Sequence, residues 1–272
     1  MNCSPFIYKD GIRDTVAKKA LIEVRNLKKI YSTREGKTVL ALKDVSFDVF
    51  DGEFVTIVGP SGCGKSTLLL ILAGLLQPSE GTVRLNGTEV RGPQRNIGMI
   101  FQNPVLLRWR RIIENVMLPV EVLGLDRERY RKKALDLLRL ANLPGFESKY
   151  PDELSGGMQQ RVSICRALVF EPSLLLMDEP FGALDAMTRD ALNLELLRIW
   201  SSERKTVVFV THYIPEAVFL ADRVIVLSSR PAEVIEEVKV DLLRPRTWKM
   251  KATRKFVNCT EGIRKSIGLE ER

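Results

Sequence analysis

Gly59-Pro60-Ser61-Gly62-Cys63-Gly64-Lys65-Ser66-Thr67 fits the pattern G-x-x-x-x-G-K-[ST]. It follows a short apolar, β-branched run, Phe54 to Val58, and opens a helical pattern, Gly64 to Leu76, that stops before Pro78. Each residue type has a physical use. The glycines let consecutive backbone N–H groups turn inward around a phosphate. The helix that follows aims its positive end at the same anion. Lys65 brings a point charge to the β- and γ-phosphates, and Ser66 a hydroxyl to a nucleotide-bound Mg²⁺. Strand, glycine loop and helix in that order predict nucleotide binding by Gly59 through Thr67. Cys63 carries no chemistry in this scheme and is a small residue that fits the loop. Kinases, GTPases and motor ATPases share the loop, so the choice among them lies elsewhere in the chain.

Working outward, strand texture comes first. Leu21-Ile22-Glu23-Val24 and Val45-Ser46-Phe47-Asp48-Val49 alternate apolar and polar, the period of a half-buried strand, and Asp51-Gly52 marks a turn. Thr82 to Leu85 with Asn86-Gly87 reads as a strand and tight turn. From about Asn103 to Cys165 the texture is helical: Asp126 can cap a helix whose Tyr130, Ala134, Leu137, Leu138 and Ala141 share one face, ended by Asn142 and Pro144. Compact apolar runs then resume at Leu174–Met177, Val207–Val210 and Val224–Leu227, the first two separated by a helical pattern through Leu192, Leu196 and Ile199. Strands alternating with helices predict an α/β fold with a largely parallel sheet.

Two of those runs end in chemistry. Leu174 to Met177 leads into Asp178-Glu179. At a strand's carboxyl end Asp178 is placed to hold Mg²⁺, and Glu179, one residue later, to polarise an attacking water. Val207 to Val210 leads through Thr211 into His212, the only histidine in the chain. Its position in step with the acid pair predicts a site role. Leu154-Ser155-Gly156-Gly157-Met158-Gln159-Gln160-Arg161 is a second helix start: Ser155 is a natural N-cap, two glycines follow, and Met158, Val162 and Cys165 repeat at helical spacing. The residues alone leave open whether this end accepts an anion or is merely capped.

Taken together these motifs resemble the ATP-binding subunit of ATP-binding-cassette (ABC) transporters. Gly59–Thr67 matches that family's phosphate loop, Leu154–Arg161 its signature motif, Leu174–Glu179 its second nucleotide motif, Ala183-Leu184-Asp185 its D-loop, Gln102 after Ile100-Phe101 its Q-loop glutamine and His212 its switch histidine. Tyr31 is placed like the aromatic that stacks on adenine. The resemblance spans about residues 21–246. It implies a P-loop NTPase fold, with a RecA-like parallel sheet core, an antiparallel β subdomain and a helical subdomain over about 103–165. Flanking these would be an N-terminal extension, 1–20, and a basic C-terminal tail, 247–272. It implies ATP and Mg²⁺ as ligands, Glu179, His212 and Gln102 in hydrolysis, and Ser66, Gln102 and Asp178 around the metal. It implies also a head-to-tail second ATPase subunit, taken to be another copy, to whose nucleotide Ser155, Gly156, Gly157, Gln160 and Asp185 would be offered in trans.

Phe101–Trp109, Asp178–Asp185, Ser228-Ser229-Arg230-Pro231 and Leu243-Arg244-Pro245-Arg246 are similar to the nitrate, sulfonate and taurine group of importers, with bicarbonate also open as solute. Arg108 departs from that group's proline before the tryptophan, and Tyr213 and Pro215 from the acidic residues that follow its histidine. Only sixty residues follow His212, too few for an added regulatory domain. The resemblance implies transmembrane permease subunits as partners, an extracytoplasmic solute-binding protein indirectly, and a peripheral place on the cytoplasmic face of the inner membrane. Trp109 among Arg108, Arg110 and Arg111 has the composition of an interface anchor; the residues alone fit equally a tryptophan packed in the helical insert beside solvated arginines, and the resemblance favours the interface with the transmembrane partner. A DNA-repair or chromosome-organising ATPase of the same motifs is the alternative; it would interrupt the cassette with long coiled coils, and no sustained heptad run is present.

Composition narrows the remainder. A chain of 272 residues with 45% hydrophobic residues can bury a sizeable core. The longest near-apolar stretch, Leu68 to Leu76, falls short of the about 20 residues a membrane helix needs, and no leader-like segment opens the chain. Four cysteines without C-x-x-C spacing suit a reducing compartment. Of the formal charge of +8, Arg244 to Lys265 supplies +7 and leaves the rest near neutral; a basic tail is not a basic groove, and a solvated tail is the first reading, attraction to anionic lipid headgroups the second and nucleic acid the third.

Overall fold

The computed structural model describes residues 19–32, 36–182, 184–203 and 205–268. The chain starts with two long antiparallel strands, β1 (Ala20–Ser32) and β2 (Thr38–Phe50), turns at Asp51-Gly52, and enters β3 (Phe54–Val58), buried along its length. Helix α1 (Lys65–Leu72) follows the glycine loop, shorter than the pattern to Leu76 suggested; β4 (Glu80–Leu85) and β5 (Thr88–Glu89) then return to pair beside β1. Next come β6 (Ile97–Ile100) and three helices, α2 (Ile112–Leu123), α3 (Arg127–Leu140) and α4 (Gly156–Leu168). The chain continues as β7 (Leu174–Asp178), α5 (Ala186–Glu203), β8 (Thr206–Thr211), α6 (Ile214–Leu220), β9 (Arg223–Leu227), β10 (Val234–Lys239) and α7 (Arg254–Ser266).

The four-stranded antiparallel sheet runs β2-β1-β4-β5; the six-stranded sheet runs β10-β9-β3-β8-β7-β6, parallel except for β10 at its edge. Side chains of the central strands divide by parity. Phe54 and Val58, Leu175 and Met177, and Val207 and Phe209 join the core under α2 to α7. Val55 and Ile57, Leu174 and Leu176, and Val208 and Val210 join the core beneath α1 and the antiparallel sheet. Both faces are covered, which is why these strands are continuous apolar runs in the sequence.

The parallel register does the positioning. Val58 pairs with Thr211, Asp178 with Val210, and Ile100 with Met177. The residues just past these strand ends therefore share one edge of the sheet: the glycine loop, His212, Glu179 and Gln102, in that spatial order. In an open α/β sheet this is the edge that holds ligands.

The helical region is built as its caps dictate. Asp126 Oδ1 accepts from the Glu128 and Arg129 N–H groups and starts α3, whose Tyr130, Ala134, Leu137 and Leu138 are buried. Helix α2 contains Pro119, a residue that removes a helical hydrogen bond. Fully buried Asn115 secures it to the preceding loop: its Oδ1 accepts the Leu107 N–H and its Nδ2 donates to the carbonyls of Leu107, Arg110 and Arg111.

Two expectations need correction. The N-terminal extension falls on residues 1–18, outside the described residues, and Ala20 already belongs to β1. The basic tail is only partly solvated: Lys249, Arg254, Lys255, Arg264 and Lys265 are exposed, but the segment is clasped to the domain. Arg246 is 5% exposed and donates to the Val218 and Ala221 carbonyls, while Arg244 holds the Leu220 carbonyl and the Asp222 carboxylate. Trp248 stacks on Phe219 at 5.1 Å, and Phe256 and Ile263 bury α7 against the domain. The reason is local: a helix C-terminus carries unpaired carbonyls and a negative pole, and two arginines satisfy those of α6.

Candidate nucleotide site

The glycine loop leaves β3 and curls over the sheet edge. Gly64 has φ 128°, and a Cβ there would stand 3.1 Å from the Ala41 carbonyl oxygen and 2.9 Å from Leu42 Cδ2, so the turn into α1 requires glycine. Cys63 is buried at 1% exposure and packs in the core, and burial raises its thiol pKa; it is a structural residue. Lys65, 4% exposed, folds back so that Nζ donates to the carbonyls of Gly59 and Pro60, both at 3.0 Å. Ser66 Oγ donates to Asp178 Oδ1 at 3.0 Å. Ser61, Gly62, Gly64 to Thr67, Gln102, Asp178 and Glu179 line a cleft of about 310 Å³.

At the end of β7 the chain turns sharply. Glu179 has φ 42°, uncommon for any residue but glycine, and its N–H is held by the Val210 carbonyl at 2.9 Å. The turn brings its carboxylate to Lys65 Nζ (3.7 Å) on one side and to His212 Nδ1 (2.8 Å) on the other. Burial pushes the Asp178 carboxyl pKa up, and the neighbouring Glu179 charge adds to this; the Ser66 hydroxyl and Lys65 pull the other way. A carboxylate raised mainly by burial and paired with a hydroxyl fits a hard cation, and one carboxylate with one hydroxyl is the set by which Mg²⁺ on a nucleotide is held. Gln102 reaches the same turn: a Cβ on Gly182 would stand 3.3 Å from its Nε2. Tyr31, 38% exposed, bonds Thr67 Oγ1 through its hydroxyl at 3.1 Å, with Lys29 Nζ 5.3 Å from its ring centroid.

The second helix start lies apart from this cluster. Ser155 Oγ accepts the Met158 N–H at 3.4 Å and caps α4. Ser155 and Gly156 are exposed, and a Cβ on Gly156 would meet nothing within 4 Å. Gln160, expected among the groups offered to a second subunit, is instead buried and donates Nε2 to the Phe101 carbonyl at 3.3 Å. Four residues past Gly156, about 6 Å along the axis, α4 has passed beneath the chain leaving β6. Asp185 caps α5 by accepting the Thr188 N–H, and hydrogen bonds from Thr188 hold its carboxyl pKa low. Ala183 lies outside the described residues.

One residue escaped the sequence-based expectations. Arg189 on α5 donates to the carbonyls of Phe181 and Leu184 and faces the Tyr213 ring. Its partners are backbone atoms, so no residue pattern signals it. The departure at Pro215 is accommodated because it stands in the first turn of α6, where its missing N–H has no helical partner to lose.

Comparison with known proteins agrees with this geometry. The family model described as ABC transporter matches residues 42–182. An uncharacterised ABC transporter ATP-binding protein of Methanocaldococcus jannaschii is 48% identical over 87% of this chain and 88% of its own length. The taurine import ATP-binding protein TauB of Rhizobium johnstonii is 43% identical over 90% of this chain and 95% of its own. Among solved structures, a dimeric ATP-binding cassette in a post-hydrolysis state with ADP and phosphate is 36% identical, with a TM-score of 0.71 over 82% of this chain and all of that one. The phosphate loop, the acid pair and the histidine at one sheet edge, and the likeness that extends through the helical region and α5, lead to one conclusion: the chain belongs to the ABC transporter family, as an ATP-binding subunit.

Proposed function

We propose that this chain hydrolyses ATP to drive solute import of the nitrate, sulfonate or taurine kind, peripheral at the cytoplasmic face of a membrane and paired head to tail with a second copy. The observation that carries this is the Glu179 carboxylate, held by its own backbone turn between Lys65 at 3.7 Å and His212 at 2.8 Å. Lys65 and the loop amides hold the phosphates; Glu179 takes the proton of the attacking water; His212 steadies both Glu179 and the γ-phosphate. Mg²⁺ held by Ser66 and Asp178, with Gln102 at its edge, would neutralise phosphate charge. Ser155 and Gly156, exposed at the start of α4, with Gly157 next to them, are offered to the nucleotide of the partner copy, and loss of the γ-phosphate removes charge from that seam.

No helix among the described residues is long and apolar enough to cross a membrane, so transport requires a separate permease. A surface groove of about 510 Å³, lined by Phe101, Leu107, Val122, Leu123, Arg166 and Phe170, adjoins the loop that carries Trp109, itself 75% exposed. An exposed tryptophan beside an apolar groove suits docking of such a subunit.

The test is Glu179→Gln in the full chain. ATP turnover is expected to fall by at least ~100-fold while ATP-dependent dimers accumulate. Unchanged turnover would overturn the role given to Glu179. Retention on DNA, in place of co-purification with an integral membrane partner, would overturn the transport reading.

A further inference from the structure

Arg189 belongs to none of the motifs above, yet it touches two of them. Its Nε donates to the Phe181 carbonyl at 3.3 Å and its Nη2 to the Leu184 carbonyl at 3.0 Å, which grips both ends of the turn that leads to Asp185. Its central carbon lies 5.1 Å from the centroid of the Tyr213 ring, next in sequence to His212. The far side of the histidine is held as well. Thr211 Oγ1 donates to Glu216 Oε2 at 2.7 Å and accepts the Tyr213 N–H at 3.0 Å. Burial raises the Glu216 carboxyl pKa, and the Thr211 hydroxyl and the charge of Arg189 offset part of that rise. His212 is thus flanked by two residues fixed from α5 and α6, and the α5 contribution comes through one cation.

Only arginine does this. A planar guanidinium can donate to two carbonyls at its edge while its face covers a ring; a lysine ammonium keeps the charge but lacks both the fork and the face.

Resting on the proposed function, we infer that Arg189 is a positioning residue that couples the loop Phe181–Asp185, which faces the second subunit, to His212, which faces the γ-phosphate. Ordering the loop at the subunit seam then orders the histidine, so the hydrolytic geometry is completed only when two cassettes have closed.

The chain's single histidine makes the test direct, because full-length protein carrying ¹³C-labelled histidine gives one imidazole signal, that of His212. Arg189→Lys, Tyr213→Leu, their double variant and Tyr213→Phe are compared with wild type in ATP and Mg²⁺. Arg189→Lys and Tyr213→Leu are each expected to lower kcat about tenfold with KM for ATP within about twofold, and to move the imidazole signal. The double variant is expected to be no worse than the singles, since both break one connection. Tyr213→Phe keeps the ring and is expected to restore both rate and signal. Additive losses, an unmoved signal, or a loss carried by KM would overturn the coupling. If Arg189→Lys fails to fold, the Tyr213→Leu and Tyr213→Phe pair decides alone. His212→Ala separates this inference from the reading beneath it. Full turnover there would sink the proposed function. Loss of turnover there, with a neutral Arg189→Lys, would sink the coupling alone.

Discussion

Helices α1 and α4 each present an N-terminus built with glycine, and they treat their polar groups in opposite ways. At α1 the chain satisfies itself. Lys65 is buried on two carbonyls of its own loop, Ser66 holds Asp178, and Glu179 joins Lys65 to His212. At α4 the chain does little beyond the Ser155 cap: Ser155 and Gly156 face outward, and Gly156 has open space where a side chain would stand. A half-site whose groups are already held by neighbours binds a phosphate with little reorganisation. A half-site left bare, with amides pointing outward and no Cβ in the way, suits an anion delivered on another body. The contrast teaches that pocket size is a poor guide here. On the proposed function, the α4 end would complete its site only against a second surface.

The strongest way to break this contrast is to damage each half and measure the same two quantities, nucleotide affinity of the single subunit and ATP-dependent dimerisation. Lys65→Ala removes the charge that faces the phosphates and leaves the Gly59 and Pro60 carbonyls without their donor. Nucleotide affinity by calorimetric titration should fall roughly 100-fold, the upper range for a charged hydrogen bond, and dimerisation should be lost with it.

Ser155→Asp should act on dimerisation alone. Aspartate caps a helix as well as serine does, so α4 and the fold are retained. Its carboxylate, however, repels a phosphate carried by the partner. The dimer dissociation constant, by analytical ultracentrifugation in ATP, should rise about 10- to 100-fold, while affinity in the isolated subunit stays at the wild-type value. Were Ser155→Asp to weaken single-subunit binding as Lys65→Ala does, the two helix ends would be one site and the contrast would fail.

Much of the closed half was legible in sequence because its strands are covered on both faces. Phe54–Val58, Leu174–Met177 and Val207–Val210 had to be unbroken apolar runs, and the chemistry had to sit where the runs end. Asp126 announced α3 by its side chain alone. What stayed hidden works through the backbone. Arg189 binds two carbonyls, Arg244 and Arg246 bind three more at the end of α6, and any residue could own those carbonyls. Counting charges therefore made a loose tail of a segment that is clasped to the domain. Gln160 misled for a related reason. Its position in the motif is shared with exposed residues, and only the path of the chain after β6 reveals that it points inward.

The smallest expected effect lies behind the closed half, at Glu216. This residue is 3% exposed, and burial is the leading cause that raises its carboxyl pKa. Thr211, Asn193, Arg189 and His212 face it and offset part of that rise. A group whose folded value is raised contributes most below its unfolded value, and that contribution is lost as pH rises through the folded value. Ionising this carboxyl in the folded protein therefore costs stability, and the cost is felt as pH rises above the ordinary carboxylate range. Glu216→Gln cannot ionise and keeps an oxygen to accept the Thr211 hydroxyl. Its thermal midpoint should exceed that of wild type by roughly 2–4 °C at pH 8, the response of a chain this size to about 1 kcal/mol, and the gap should close toward pH 4.5, where the wild-type carboxyl is itself neutral. A gap that widened in acid, or a variant less stable at pH 8, would mean that the Arg189 charge outweighs burial. The rear of the histidine would then be held by an ion pair.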